Sequence, residues 1–323
     1  MSDLDTLSQP GTSAVPSDVL RSLTADDRKH RLYLVDPYLR EGLLHFSTVG
    51  ALSVAHDLTF VVLKPDAVAG RRCQLIIDTL RERGWLPVAA TTVRFHPVLT
   101  REVWRYQFNA ASEQRIAVVD HLLGSGDSLL VLLTDHQRPD WLPASVRLTA
   151  QKGAADPTGA HPADLRQRFG RVNGLFNFVH TADDPADLVR QLQLFAFDAG
   201  WDWCAEALTR SAQTDPAVLE RAAGRVATLV ADLEAQIPAH DLDLRASLER
   251  LRHRDDEWGA HARRSASREH IGDWLAALVR VPLPPGAARW DLLTVLTCWI
   301  ECNEPNVAAV IPTARPDEWL SAR

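Results

Sequence analysis

The stretch Val172 to Phe195, VNGLFNFVHTADDPADLVRQLQLF, constrains the fold more than any other. Phe176, Phe178 and Val179 favour a buried strand. Asp183 or Asp184 can cap a helix, and Pro185 suits its first turn. Leu188, Leu192 and Phe195 recur at helical spacing, which predicts an amphipathic helix. His180 therefore stands at the exit of a strand and faces a helix start. A histidine there is ordinarily structural, and only the rest of the chain gives it chemistry.

The rest of the chain bounds the possibilities. With 323 residues, two domains are expected. At 46% hydrophobic and 24% charged, the composition is that of a soluble globular protein. The sequence has no long apolar run for a membrane helix and no basic start with an apolar core for secretion. Cys73, Cys204, Cys298 and Cys302 show no CxxC spacing and read as core thiols, which suits a cytoplasmic location. The net charge of −7 argues against a general nucleic-acid binder but leaves room for a local phosphate pocket.

Taken in order, Met1 to about Lys29 reads as a mobile leader rich in Ser, Thr, Asp and Pro. Leu32 to Val54 fits a short strand and a helix broken by Pro37. Leu58–Leu63 is a doubly buried strand, and Lys64-Pro65-Asp66 follows with little backbone freedom. Arg72 to Arg83 is a helix with Cys73, Ile76, Ile77 and Leu80 as its apolar stripe, stopped by Gly84. Leu86 to Phe95 is a strand, Thr100 caps a helix holding Trp104 and Tyr106, Ser112 to Leu123 is another helix, and Ser128–Leu133 is a third strand. Trp141 to Arg171 is a long cationic loop carrying Arg147, Lys152, Arg166, Arg168 and Arg171. The β-α-β-α-α-β order, followed by β-α, indicates an α+β sandwich of the split-βαβ kind.

LKPDAV, the helix-Gly-strand after it, SGDSLLVLL, an arginine-bearing loop and NFVH before an acidic helix cap, in that order, resemble a nucleoside diphosphate kinase domain over about Leu58 to Phe195. The resemblance implies a ferredoxin-like βαββαβ core and ping-pong transfer of a terminal phosphoryl group from a nucleoside triphosphate to a diphosphate. It implies His180 as the phosphorylated residue, Lys64 as a phosphate contact, Tyr106 near the histidine, Arg147 and Arg166 as a phosphate clamp, and Asn177 as a sugar contact. The chemistry is coherent: a neutral imidazole attacks phosphorus, and three cations offset the oxygen charge. Mg²⁺ arrives on the nucleotide phosphates and keeps most of its water, so few carboxylate ligands are needed. The sequence has no Walker loop.

The sequence also departs from the family. The usual His-Gly-Ser-Asp is His180-Thr181-Ala182-Asp183, and the glutamate eleven residues on is Gln191. A neutral amide in place of a carboxylate costs on the order of 1 kcal/mol, roughly five- to tenfold in rate. The phosphate-binding loop threonine falls near Lys152 or Gly153, where a lysine keeps affinity through charge. Near Ile116 to Val118 there is no base-stacking aromatic, and Arg115 stands for the neighbouring phosphate-contacting arginine. Leu175-Phe176 replaces a glycine-arginine pair.

Residues 198–323 hold seven of the ten tryptophans and predict a helical domain packed on the kinase-like domain at 30–197. Pro216–Gln236, Leu242 to Arg254, Arg268 to Val281 and Trp290 to Glu301 are its expected helices. The charged run Glu249 to Arg264 reads as a solvated face without a metal-ligand frame. Glu301, Asn303 and Glu304 close an apolar helix and either cover the active site or contact a second substrate, or make a simple interdomain contact. Two functions follow. One is a phosphotransferase acting on nucleoside diphosphates or a specialised acceptor. The other is a degenerate nucleotide-binding scaffold. A homo-oligomer smaller than a hexamer is expected, because the added helices cover surface.

Overall fold

The computed structural model describes residues 15–135, 137–211 and 215–321. The chain opens with α1 (Ser17–Leu23), α2 (Asp27–Tyr33) and α3 (Pro37–Thr48), before β1 (Leu58–Leu63), α4 (Pro65–Ala69) and α5 (Cys73–Glu82). Then come β2 (Trp85–Val93), α6 (Pro97–Val103), α7 (Glu113–Leu123), β3 (Ser128–Asp135), α8 (Ala144–Lys152) and α9 (Leu165–Arg168). The three-residue β4 (Val179–Thr181) leads into α10 (Pro185–Ala199) and α11 (Trp201–Ser211). The remaining helices are α12 (Pro216–Gln236), α13 (Leu244–Arg252), α14 (Glu257–Arg264), α15 (Ile271–Arg280), α16 (Ala287–Trp299) and α17 (Pro316–Ser321).

The four strands form one antiparallel sheet in the order β2-β3-β1-β4. Val62 pairs with His180, so the histidine is carried by an edge strand directly beside the buried β1. The α+β reading is correct: an antiparallel four-stranded sheet with helices, then a helical region. Behind His180, Phe60, Phe95 and Phe195 meet edge to face at 5.4 and 6.0 Å. Each such buried ring contributes about 2–3 kcal/mol.

The N-terminal reading needs correction. Residues 1–14 lie outside the described residues, but the rest of the expected mobile leader forms α1 and the start of α2, with Lys29 buried. Leu32 to Val54 holds no strand. Pro37 does not break this segment but starts α3, behind an Asp36 cap that accepts from the Leu39 amide at 3.0 Å. This extension covers α10, so the polar face of this amphipathic helix is also buried: Asp187, Arg190, Gln191 and Gln193 are covered along with Leu188, Val189 and Leu192. Each polar group there has a partner, as burial demands.

Other boundaries shift for local reasons. The α6 cap is His96 and not Thr100, and Trp104 and Tyr106 fall just beyond the helix. The supposed loop Trp141 to Arg171 contains α8 and α9. β4 begins only at Val179, because Phe178 adopts φ 69°. That conformation costs a bulky residue about 1–3 kcal/mol. Its amide donates to Asp66 Oδ2 at 3.0 Å and its carbonyl accepts from the Lys64 amide at 2.9 Å, which hold it in place.

The C-terminal helices are not a bundle merely set on the domain. α12 packs against β2 and β3, and one continuous core runs from Val15 to Ile311. The charged run Glu249 to Arg264 splits into the end of α13, a turn, and α14, whose Trp258 is buried.

Candidate active site

His180 lies where two cavities meet. The smaller, about 70 Å³, is bounded by Lys64, Arg115, Arg166, Asn177 and His180. The larger, about 500 Å³, adds Thr149, Lys152, Asp183 and residues 313–316.

The ring of His180 is held from three sides. Its Nε2 is 2.7 Å from Gln191 Oε1, so Nε2–H donates to the amide oxygen. Trp104 meets the ring at 4.7 Å, centroid to centroid, and Phe60 backs it at 5.9 Å. Burial, reinforced by the nearby Lys152 and Arg166 cations, pushes its pKa down to about 3 against the pull of Gln191. The imidazole is therefore neutral at physiological pH. With Nε2 protonated, Nδ1 carries the lone pair, and no hydrogen bond occupies Nδ1 among the described residues.

Lys64 and Arg166 are buried and fixed by backbone carbonyls, and the buried Lys152 is fixed by side chains. Lys64 Nζ donates to the Leu175 carbonyl at 2.7 Å and stands 3.6 Å from Asp66. Burial pushes it down to about 8, partly offset by Asp66. Lys152 Nζ donates to Thr181 Oγ1 at 2.7 Å, with Asp183 at 3.5 Å, and burial takes it to about 8 as well. Arg166 donates to the carbonyls of Gly153 and Val179 at 2.8 and 3.0 Å, while its buried Nε has no partner. Burial lowers this guanidinium to about 10. Gly153 has φ +79°, and a Cβ there would sit 2.1 Å from the Asp164 carboxyl carbon, so the turn delivering Arg166 needs glycine.

Of the residues expected from sequence, Lys64, Arg115, Lys152, Arg166, Asn177, His180 and Gln191 come together here. Asn177 donates to the Gly174 carbonyl at 2.6 Å. Arg147 does not join them. It lies two residues from Thr149 on α8, hence on another face, where it meets Asp135 at 2.6 Å and covers Trp85. Tyr106 is also elsewhere. Its hydroxyl donates to Asp36 at 3.2 Å, and Trp104 takes the place beside the histidine. Trp104 and Phe108, both beyond the end of α6, line the smaller cavity.

Sequence reasoning assigned no site role to Thr149, Asp183 or residues 313–316. Thr149 Oγ1 donates to the Ala182 carbonyl at 2.9 Å and stands one turn before Lys152, a spacing visible once α8 is recognised as a helix. Among the described residues, no group of three His, Cys, Asp or Glu could hold a metal ion. Asp183, 3.5 Å from Lys152, is a cleft carboxylate outside the buried Lys29 pair.

Residues 57–199 match the nucleoside diphosphate kinase family. Thioredoxin domain-containing protein 6 of Mus musculus is 30% identical over 140 residues, 42% of this chain. The chain spans only 40% of that relative's length. Among solved structures, nucleoside diphosphate kinase from Aquifex aeolicus is 19% identical, with 43% of this chain and 93% of that one covered at a TM-score of 0.35. The enzyme from Encephalitozoon cuniculi is 20% identical, with 44% and 90% covered at a TM-score of 0.37.

Proposed function

We propose that the nucleoside diphosphate kinase-family domain at residues 57–199 is an active phosphotransferase working through a phosphohistidine. The observation that carries this is His180: neutral, fixed by Gln191 through Nε2, with Nδ1 free beside Lys64, Lys152, Arg115 and Arg166. In the first half-reaction, the Nδ1 lone pair forms a bond to the terminal phosphorus of a nucleoside triphosphate. The bond from that phosphorus to the bridging oxygen breaks, and the diphosphate leaves with the electron pair. In the second, an acceptor phosphate oxygen attacks the phosphorus and the N–P bond breaks, restoring the neutral ring.

The four cations offset charge on the phosphate oxygens, and Trp104 with Phe108 offers aromatic surface to a base. A Mg²⁺ carried on the phosphates would add charge neutralisation there, and Asp183 is the cleft carboxylate that would face it. Gln191 fixes the ring but supplies no charge when phosphorylation develops positive character on it. Intact-protein mass spectrometry after Mg²⁺-ATP at neutral to mildly alkaline pH tests the reading. One acid-labile phosphate is expected.

The pH profile follows from the same site. With His180 neutral above about pH 3, kcat/KM stays level from about pH 5 to 7, where an ordinary imidazole near 6.5 would titrate. Lys64 and Lys152 lose their protons as pH rises through about 8, so kcat/KM falls there through KM. An acid limb near 6.5 would mean a solvated, titrating histidine.

A second reading, nucleotide binding without turnover, draws support from the commitment of Lys64 and Arg166 donors to backbone carbonyls and from neutral Gln191. Calorimetric nucleotide binding with no phosphoprotein would select it. The helices wrapped around the domain leave less surface for self-association, and the proposal includes an assembly smaller than a hexamer, checked by sedimentation.

A further inference from the structure

The chain beyond α16 returns to the cleft. Asn303 bridges Ala111 as an antiparallel pair, and the Ser112 amide donates to the Cys302 carbonyl at 3.2 Å. Ser112 Oγ donates to the Glu301 carbonyl, and the amides of Glu304 and Val310 donate to Ala110 and Tyr106 at 2.9 Å. A Cβ on Gly174 would stand 3.0 Å from Cys302 Sγ, so this glycine admits the segment. Farther on, Ala314 and Trp319 are buried against Leu142 and Val146, the latter on the helix that carries Thr149 and Lys152. The segment is thus anchored on both sides of His180.

Between these anchors it touches the site twice. Arg115 Nη1 donates to Asn303 Oδ1 at 3.1 Å, while the buried Arg115 Nε has no partner. A neutral amide orients the guanidinium without cancelling its charge. Thr313 and Arg315 wall the larger cavity together with Lys152 and Arg166. Arg315 Nε is 3.1 Å from Glu318 and 3.7 Å from Asp317, and its side chain is 66% exposed. Exposed pairs of this kind hold weakly, so a phosphate can compete for the guanidinium.

We propose that residues 301–316, outside the matched domain, complete the phosphate-binding site. Asn303 is a positioning residue for Arg115, and Arg315 directly contacts a di- or triphosphate ester that reaches His180 through the larger cavity. This rests on reading the cleft as a phosphate site.

Calorimetry on the full chain, with Mg²⁺-ADP and separately with Mg²⁺-pyrophosphate, tests it. Arg315→Ala and Asn303→Ala are each expected to weaken both ligands about five- to tenfold, with little change in Tm. Asn303→Asp separates positioning from structure. It keeps the hydrogen bond and Tm, yet weakens binding at least as much, because its carboxylate cancels the Arg115 charge. Wild-type binding with affinities unchanged within about twofold in the variants would overturn this proposal alone. Tighter binding in the alanine variants would also overturn it and make the segment an occluding strap. Failure of the wild type to bind either ligand would overturn the phosphate-site reading and this proposal together.

Discussion

His180→Ala is expected to abolish the acid-labile phosphoprotein and to lower nucleoside diphosphate phosphorylation by at least about 10³-fold. The expectation rests on the absence of a substitute nucleophile with the same geometry. Lys64 and Lys152 line the cleft, but both are protonated below about pH 8 and donate to Leu175 and Thr181. The fold itself should survive, since the side chain's one hydrogen bond is to Gln191. That leaves a buried amide without its partner, at a cost of about 1–3 kcal/mol. The label retained on protein precipitated at alkaline pH, and its loss in acid, reads the intermediate directly. Undiminished labelling in the variant would place the nucleophile elsewhere and sink the mechanism. The companion variant Gln191→Glu is expected to raise the rate about five- to tenfold, because a carboxylate stabilises the ring as it gains positive character. It also pulls the His180 pKa upward, so an acid limb should enter the pH profile of that variant and not of the wild type.

How much of this was legible depended on where each residue's constraint lies. The β1–Lys64–Pro65 junction and the Asp184–Pro185 helix start are local grammar: they fix Lys64 at the exit of β1 and His180 just before a helix, while the pairing of β1 with β4 comes from the fold. Gln191 was legible through the family resemblance, eleven residues after the histidine, and it is carried by the helix that starts there. Arg147 was misplaced because a long cationic stretch read as loop hides which face of a helix each residue occupies. Once Ala144–Lys152 is helical, Thr149 and Lys152 go to the cleft and Arg147 goes to Asp135. Tyr106 lost its place to Trp104 because the helix there is capped by His96 and ends at Val103, so both aromatics fall in the following turn. Asn303 was legible only as one of three polar residues closing an apolar helix, and the contribution of Arg315 was out of reach. Their positions depend on distant contacts to Arg115 and α8, which no periodicity encodes.

The other large expected effect lies in the stretch read from sequence as leader. Lys29 Nζ lies 2.8 Å from both Asp184 Oδ2 and Asp187 Oδ2, with 1% of its side chain exposed. Thr24 also donates to Asp184 at 2.7 Å, and the Tyr33 hydroxyl donates to Asp187. Burial alone would depress the lysine, but the two carboxylates more than offset it and hold the ammonium protonated. Burial also lifts Asp184 to about 6 despite Lys29, whereas Lys29 and Tyr33 hold Asp187 below its usual range. Lys29→Met removes the charge and leaves two carboxylates facing each other away from water. A loss of about 3–5 kcal/mol is expected, read as a fall in the urea midpoint at pH 7.5 with m unchanged. Without the lysine, both carboxylates bind protons more tightly folded than unfolded, so the deficit shrinks as pH falls toward 5. The double change Asp184→Asn with Lys29→Met should recover part of the loss at pH 7.5, because it removes one of the stranded charges. Because Asp184 caps α10 and that helix carries Gln191, the single variant is also expected to loosen the ring of His180 and lower the rate of phosphoprotein formation. A Lys29→Met protein as stable as wild type at pH 7.5 would show that Lys29 does not dock the N-terminal helices on α10.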